Sequence, residues 1–168
     1  ERFRRQRQMC IRDRYYDYST KNMKHIFSIF YKLLKKKDFQ LVVIPSMRTP
    51  LNTIHYAKEF FGENHTVIMN VDKKAYLSAL AISENIIVTC DSSSMISEAA
   101  LTGKPIYIAN ILPKKNDIRF QRFRNLFRDL NITRNLGEDV ENWTYQSLDE
   151  TNRVCLLYTS PSPRDSLE

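Results

Sequence analysis

Asn85-Ile86-Ile87-Val88-Thr89-Cys90-Asp91-Ser92-Ser93-Ser94-Met95-Ile96-Ser97-Glu98-Ala99-Ala100-Leu101-Thr102-Gly103-Lys104-Pro105-Ile106-Tyr107-Ile108 reads as one strand–helix–strand unit. Its two apolar runs are continuous rather than alternating, the pattern of strands covered on both faces, as in parallel sheets. Between them Met95, Ile96, Ala99 and Ala100 form an apolar helical face that Gly103 ends. The same alternation extends upstream, with strands at Leu41–Ile44 and Thr66–Met69 and helices at Pro50–Phe61 and Lys73–Ile82. A first helix opens after Ser19 or Thr20, its stripe running from Met23 to Leu34, and Lys35–Lys37 closes it where cations suit the helix dipole. A last helix, Asp117–Leu130, turns Phe120, Phe123, Phe127 and Leu130 inward. Arg119, Arg122, Arg124 and Arg128 are expected on its solvated side. The whole reads as an α/β doubly wound parallel sheet, Rossmann-like. Val140–Val154, with Trp143 and Tyr145, is irregular and expected to strap back across a neighbouring surface.

The chain has 168 residues, 42% hydrophobic and 27% charged, which suits one globular domain and excludes a disordered one. No apolar run reaches the roughly 18 residues of a membrane span, so no integral membrane segment is expected. Three glycines and three cysteines exclude collagen-like and disulfide-scaffold classes.

The two ends read better as DNA than as protein. Cys155-Leu156-Leu157-Tyr158-Thr159-Ser160 is encodable as TGTCTCTTATACACATCT, whose reverse complement encodes Met9-Cys10-Ile11-Arg12-Asp13. Residues 1–14 and 155–168 are therefore expected to be translated sequencing adapters, leaving 15–154 as the natural domain. Without those ends the net charge falls from +7 to +4, and no nucleic-acid partner is expected. Cys90 then remains as the one cysteine, which fits a reducing, cytoplasmic compartment.

In open parallel sheets, ligands bind beyond the carboxyl ends of the strands. There the first strand is followed by Ser46-Met47-Arg48-Thr49-Pro50 and the third by Cys90-Asp91-Ser92-Ser93-Ser94. An arginine and a hydroxyl-rich helix start on one edge suit phosphate, which free N–H groups and the helix dipole attract. Glu98 does not stand three residues after Ser92 or Ser93, as a capping box requires, and could accept hydrogen bonds from two ribose hydroxyls. From the residues alone the ordinary account leads: serines cap helices and glutamate is a good helix former. Arg122 is the arginine chosen to reach a diphosphate. His25, His55 and His65 lack metal-ligand spacing, so no metal is expected, and no cofactor fingerprint occurs. Cys90, between a strand and a helix, could have a lowered pKa, but a small apolar role at the sheet end is the stronger reading.

The string Val88–Pro105 closely resembles the signature of the mitochondrial fission ELM (elongated mitochondria) family. Ser46–Pro50, Phe120–Arg124, Asn131–Arg134 and Trp143–Thr151 agree with it as well. The resemblance implies a GT-B glycosyltransferase-like fold, of which 15–154 is a partial C-terminal half lacking its first strand, its glycine-rich turn and the N-terminal domain. It implies a nucleoside-diphosphate sugar as ligand and metal-independent transfer by the intact protein. Ser92, Ser93 and Ser94 would lie near the diphosphate, Glu98 near the ribose, and Arg48 and Thr49 on the neighbouring loop. The half by itself is expected to be inactive. The alternative is a non-catalytic glycosyltransferase-like scaffold for protein or membrane-associated partners. Two stretches depart from the family pattern: Leu112-Pro113-Lys114-Lys115 replaces a Gly-Gly turn, and Val71-Asp72-Lys73-Lys74-Ala75-Tyr76 replaces a Gly-x-Asn-Pro-Tyr-like segment.

Overall fold

A computed structural model describes residues 16–137 and 139–147. In chain order the elements are α1 (Thr20–Lys37), β1 (Val42–Val43), α2 (Leu51–Phe61), β2 (Thr66–Val67), α3 (Lys73–Ile82), β3 (Ile86–Thr89), α4 (Ser93–Ala100), β4 (Ile106–Ala109), α5 (Ile118–Asp129) and β5 (Thr133–Asn135). The fold is mixed α/β with parallel strands, as the continuous apolar runs require. The strands form two ribbons rather than one continuous sheet among the described residues. β1 pairs with β2, and β4 lies between β3 and β5.

Position in the sheet decides burial. Ile106, Tyr107, Ile108 and Ala109 of the central strand β4 are all buried, whereas Val42 of β1 is exposed. One apolar core nevertheless joins the two ribbons, taking in Met23 and Phe27 of α1, Phe61 of α2, Val67 of β2, Val88 of β3 and Ile96 of α4. α1 and α2 meet through aromatic rings, with Phe27 stacked on Tyr56 at 5.3 Å and edge-on to Phe61 at 5.1 Å.

Local chemistry sets the helix ends. The Asp72 carboxylate accepts from the N–H groups of Lys74 and Ala75 and so caps α3. Lys104 Nζ donates to the carbonyls of Leu80 and Ala81 at 2.7 and 2.6 Å, closing the other end of that helix. Gly103 follows α4 at a φ of 71°, a conformation that glycine adopts without strain.

Three details differ from the sequence reading. β5 was not anticipated, because Thr133-Arg134-Asn135 lacks an apolar run; only its pairing to β4 makes it a strand. On α5, Phe127 is buried but Leu130 is exposed, because the helix ends at Asp129. Arg124 is not on the solvated side: its side chain is 15% exposed and ion-paired to Asp117 at 3.0 Å.

Residues 139–147 strap across β4 and β5. The Tyr107 hydroxyl donates to the Glu141 carbonyl at 2.8 Å, the Trp143 indole N–H donates to the Asn131 carbonyl at 3.0 Å, and Arg134 lies 4.3 Å over the Trp143 ring. The strapped surface is thus the domain's own; residues 148–154 of the expected strap lie outside the described residues.

Burial of β4 sets a stability contrast. Ile106→Ala should cost about 2–5 kcal/mol, and Leu112→Ala, at an exposed loop position, less than about 0.5 kcal/mol. Urea unfolding of the two variants beside the parent chain measures both.

Candidate functional site

The carboxyl ends of both ribbons share one rim, and Tyr18 shows it. It lines a small crevice together with Asn52, Thr53 and Tyr56 at the start of α2, while its hydroxyl faces Asp91 and Thr89 at the end of β3. Burial and the neighbouring Asp91 carboxylate hold the Tyr18 phenol protonated, well above its usual range. The loops after β1 and β3 therefore rise from the same edge.

In the first loop, Ser46–Pro50, the turn is closed by its own hydroxyls. The Ser46 N–H donates to Thr49 Oγ1 at 2.9 Å, and the Arg48 N–H donates to Ser46 Oγ at 3.3 Å. Thr49 is half-buried and Arg48 exposed. Pro50 sits at the N-cap of α2, fixing φ where the helix begins.

In the second loop Asp91 and Ser92 are buried, Ser93 is half-buried and Ser94 is exposed. Ser92 is the N-cap of α4 yet makes no side-chain capping bond. Asp91 Oδ1 is buried and has no hydrogen-bond partner among the described residues. Glu98 lies further along α4 on an exposed face, and its Oε2 accepts from the Tyr76 hydroxyl at 2.6 Å. Tyr76 belongs to the first turn of α3, so the two side chains meet across the groove between helices that both start at the rim. Burial first, then the Glu98 carboxylate, raises the Tyr76 phenol and keeps it a donor. Among the described residues no cation pairs with Glu98.

Arg122 does not join this group. It lies on the exposed side of α5 and makes no hydrogen bond to a described residue. The arginine that turns inward is Arg124. Its Nη1 donates to the Tyr16 hydroxyl and the Cys90 carbonyl, and its Nη2 to Asp117 Oδ2, all at 3.0 Å. Tyr16 also donates to Asp117 Oδ2 at 3.1 Å. Burial alone would raise the Asp117 carboxyl, but the Arg124 and Tyr16 hydrogen bonds hold it below the usual carboxylate range. Cys90 is buried, and burial pushes its thiol up to about 11, against the lowering that a helix start could give. Its sulfur accepts from the Ile111 N–H at 3.2 Å. Cys90 is a packing residue at the sheet end.

Tyr18, Tyr76, Asp91 and Arg124 were not singled out from the sequence. Tyr76 stands 22 positions before Glu98 and Tyr16 stands 108 before Arg124, so no local spacing marks either pair. Among the described residues no three His, Cys, Asp or Glu side chains gather to hold a metal ion, and no helix is long and apolar enough to cross a membrane.

The family described as Mitochondrial fission ELM1 matches residues 12–157. Two curated proteins are similar. One is the Mitochondrial fission protein ELM1 of Arabidopsis thaliana, 32% identical over 111 residues, or 63% of this chain and 26% of that protein. The other is the uncharacterized protein RP120 of Rickettsia prowazekii (strain Madrid E), 37% identical over 137 residues, or 76% of this chain and 38% of that protein. The chain thus spans well under half the length of either relative. No solved structure matches it.

Two measurements follow from the buried groups. Cys90 should react with a thiol reagent such as iodoacetamide only as fast as the protein opens, and at the ordinary thiol rate once unfolded in urea. Asp117 has a folded-state pKa below its unfolded one, so its stabilisation is complete at neutral pH and is lost as pH falls through the folded value, below 3.8. Asp117→Asn should be less stable at pH 7 and should flatten the acid limb of stability against pH, as read by denaturant midpoints.

Proposed function

Because this chain belongs to the mitochondrial fission ELM1 family, we propose that it is the nucleotide-sugar-binding half of a longer, two-domain glycosyltransferase of the GT-B kind. The observation that carries this reading is the shared rim, where the Ser92–Ser94 helix start, the Arg48 loop and the exposed Glu98 carboxylate rise from the carboxyl ends of parallel strands. A diphosphate seated at the start of α4 would meet free backbone N–H groups and the positive end of the helix dipole, with Arg48 supplying a counter-charge from the facing loop. Glu98, held in place by Tyr76, has a second carboxylate oxygen to accept from ribose hydroxyls. Transfer would need no metal: the fixed donors would stabilise the leaving diphosphate as its charge develops. The acceptor and any catalytic base would lie on the opposite wall of the cleft, in the other domain, and this half alone would be inactive.

A second reading, a scaffold without turnover, is favoured by a different feature of the rim. Met47, Leu51, Val71 and Leu112 are all exposed on or beside the loops that follow β1, β2 and β4. Apolar side chains gathered at one edge suit coverage by protein, whether a second domain or a partner.

Calorimetric titration of the uninterrupted protein with a panel of nucleoside-diphosphate sugars tests the first reading. One of them should bind saturably, and Glu98→Gln should weaken it roughly tenfold or more, the worth of a hydrogen bond to a charged group. Unchanged affinity in that variant refutes the ribose role. Sugar transfer to any acceptor rules out the pure scaffold.

A further inference from the structure

A cavity of about 160 Å³ lies away from Glu98, between α5 and the strands β4 and β5. One helical face forms one wall: Gln121, Arg124, Asn125 and Arg128 stand at i, i+3, i+4 and i+7 of α5. Asn110 and Asn135, at the carboxyl ends of β4 and β5, form the other, with Arg134 beside them. The lining holds three guanidinium groups and four side-chain amides but no carboxylate.

The cations differ in how far they are already neutralised. Arg124 is committed to Asp117, Tyr16 and the Cys90 carbonyl. Arg134 pairs with Glu141 and stacks on Trp143. Among the described residues Arg128 has only a 3.9 Å contact with its neighbour Asp129, and both side chains are more than half exposed. Asn110 donates to Asn135 at 3.2 Å, which orients both amides at the mouth, and Asn125 makes no hydrogen bond to a described residue.

We propose that this cavity is a binding site for a phosphoryl group, with Arg128 and Asn125 as its principal donors. The weakly neutralised Arg128 and the lack of a lining carboxylate favour an anion. The volume is below the roughly 300–1,000 Å³ typical of drug-sized ligands, so the occupant is a small ion or one end of a larger molecule. The donors come from several directions, which suits a tetrahedral oxyanion better than a flat carboxylate with its roughly four acceptor positions. The site is distinct from the Glu98 groove: its lining comes from α5, β4 and β5 and includes neither Glu98 nor any residue of α4. It does not depend on the nucleotide-sugar reading.

The test titrates the 168-residue chain at low ionic strength with inorganic phosphate and, separately, with uridine diphosphate, following the side-chain resonances of Arg128 and Asn125 by NMR. Saturable shifts are expected with inorganic phosphate. Arg128→Gln should weaken binding about tenfold, and Asn125→Asp, which places a negative charge on the wall, should abolish it. Both positions are exposed, and circular dichroism checks that the variants fold. Glu98→Gln should leave phosphate binding unchanged, which separates this site from the proposed ribose contact. Weakening of both ligands by Arg128→Gln supports an esterified phosphate as the natural occupant, and weakening of inorganic phosphate alone supports the free ion. Absence of saturable binding, or binding that neither variant alters, overturns the proposal.

Discussion

The guanidinium of Arg124 is the point on which the arrangement of the rim depends. It joins the segment entering α1 through Tyr16, the loop after β3 through the Cys90 carbonyl, and the start of α5 through Asp117. Tyr16 and Cys90 stand 108 and 34 positions from Arg124 in sequence, and Asp117 seven. Charge taken out of water is costly unless it is paired and hydrogen-bonded. Here one charged fork and one carboxylate satisfy each other, with a phenol donating to that carboxylate and a backbone carbonyl completing the set. Removing either ion would leave the other buried and uncompensated, so the cluster specifies one geometry for three loops.

That constraint reaches the candidate binding groups through short connections. Asp91 and Ser92 follow Cys90 directly and are buried with it. Tyr18 lies two residues after Tyr16 and spans from α2 to the end of β3. On the other side of β4, Arg124 forms part of the cationic cavity while its charge is largely spent on Asp117. Arg128, one turn further along the same face, keeps its charge. A single helix thereby contributes a structural arginine and a cavity-lining one that keeps its charge, separated by one turn.

Much of the architecture was legible in the chain because apolar runs and helical stripes are local signals. Lys73–Ile82 has the same bounds by pattern and by structure, and Asp72 before it is an ordinary capping residue. The strands at Leu41–Ile44 and Thr66–Met69 shrink to two paired residues each, because pairing is a property of two segments and not of one. β5 escaped notice for the same reason. The arginines of α5 were assigned to solvent as a group, since composition could not reveal that a buried aspartate and tyrosine awaited one of them.

Sequence alone determined the alternation of helices with the first four strands, their parallel character and the family signature at Val88–Pro105, because each is written in contiguous residues. Tertiary structure alone decided which polar side chains meet. Tyr76 reaches Glu98, Tyr16 and Asp117 reach Arg124, and residues 139–147 fold back over β4 and β5. Hydrogen bonds and ion pairs act over a few ångströms, whereas these partners are brought that close only by the packing of a shared core.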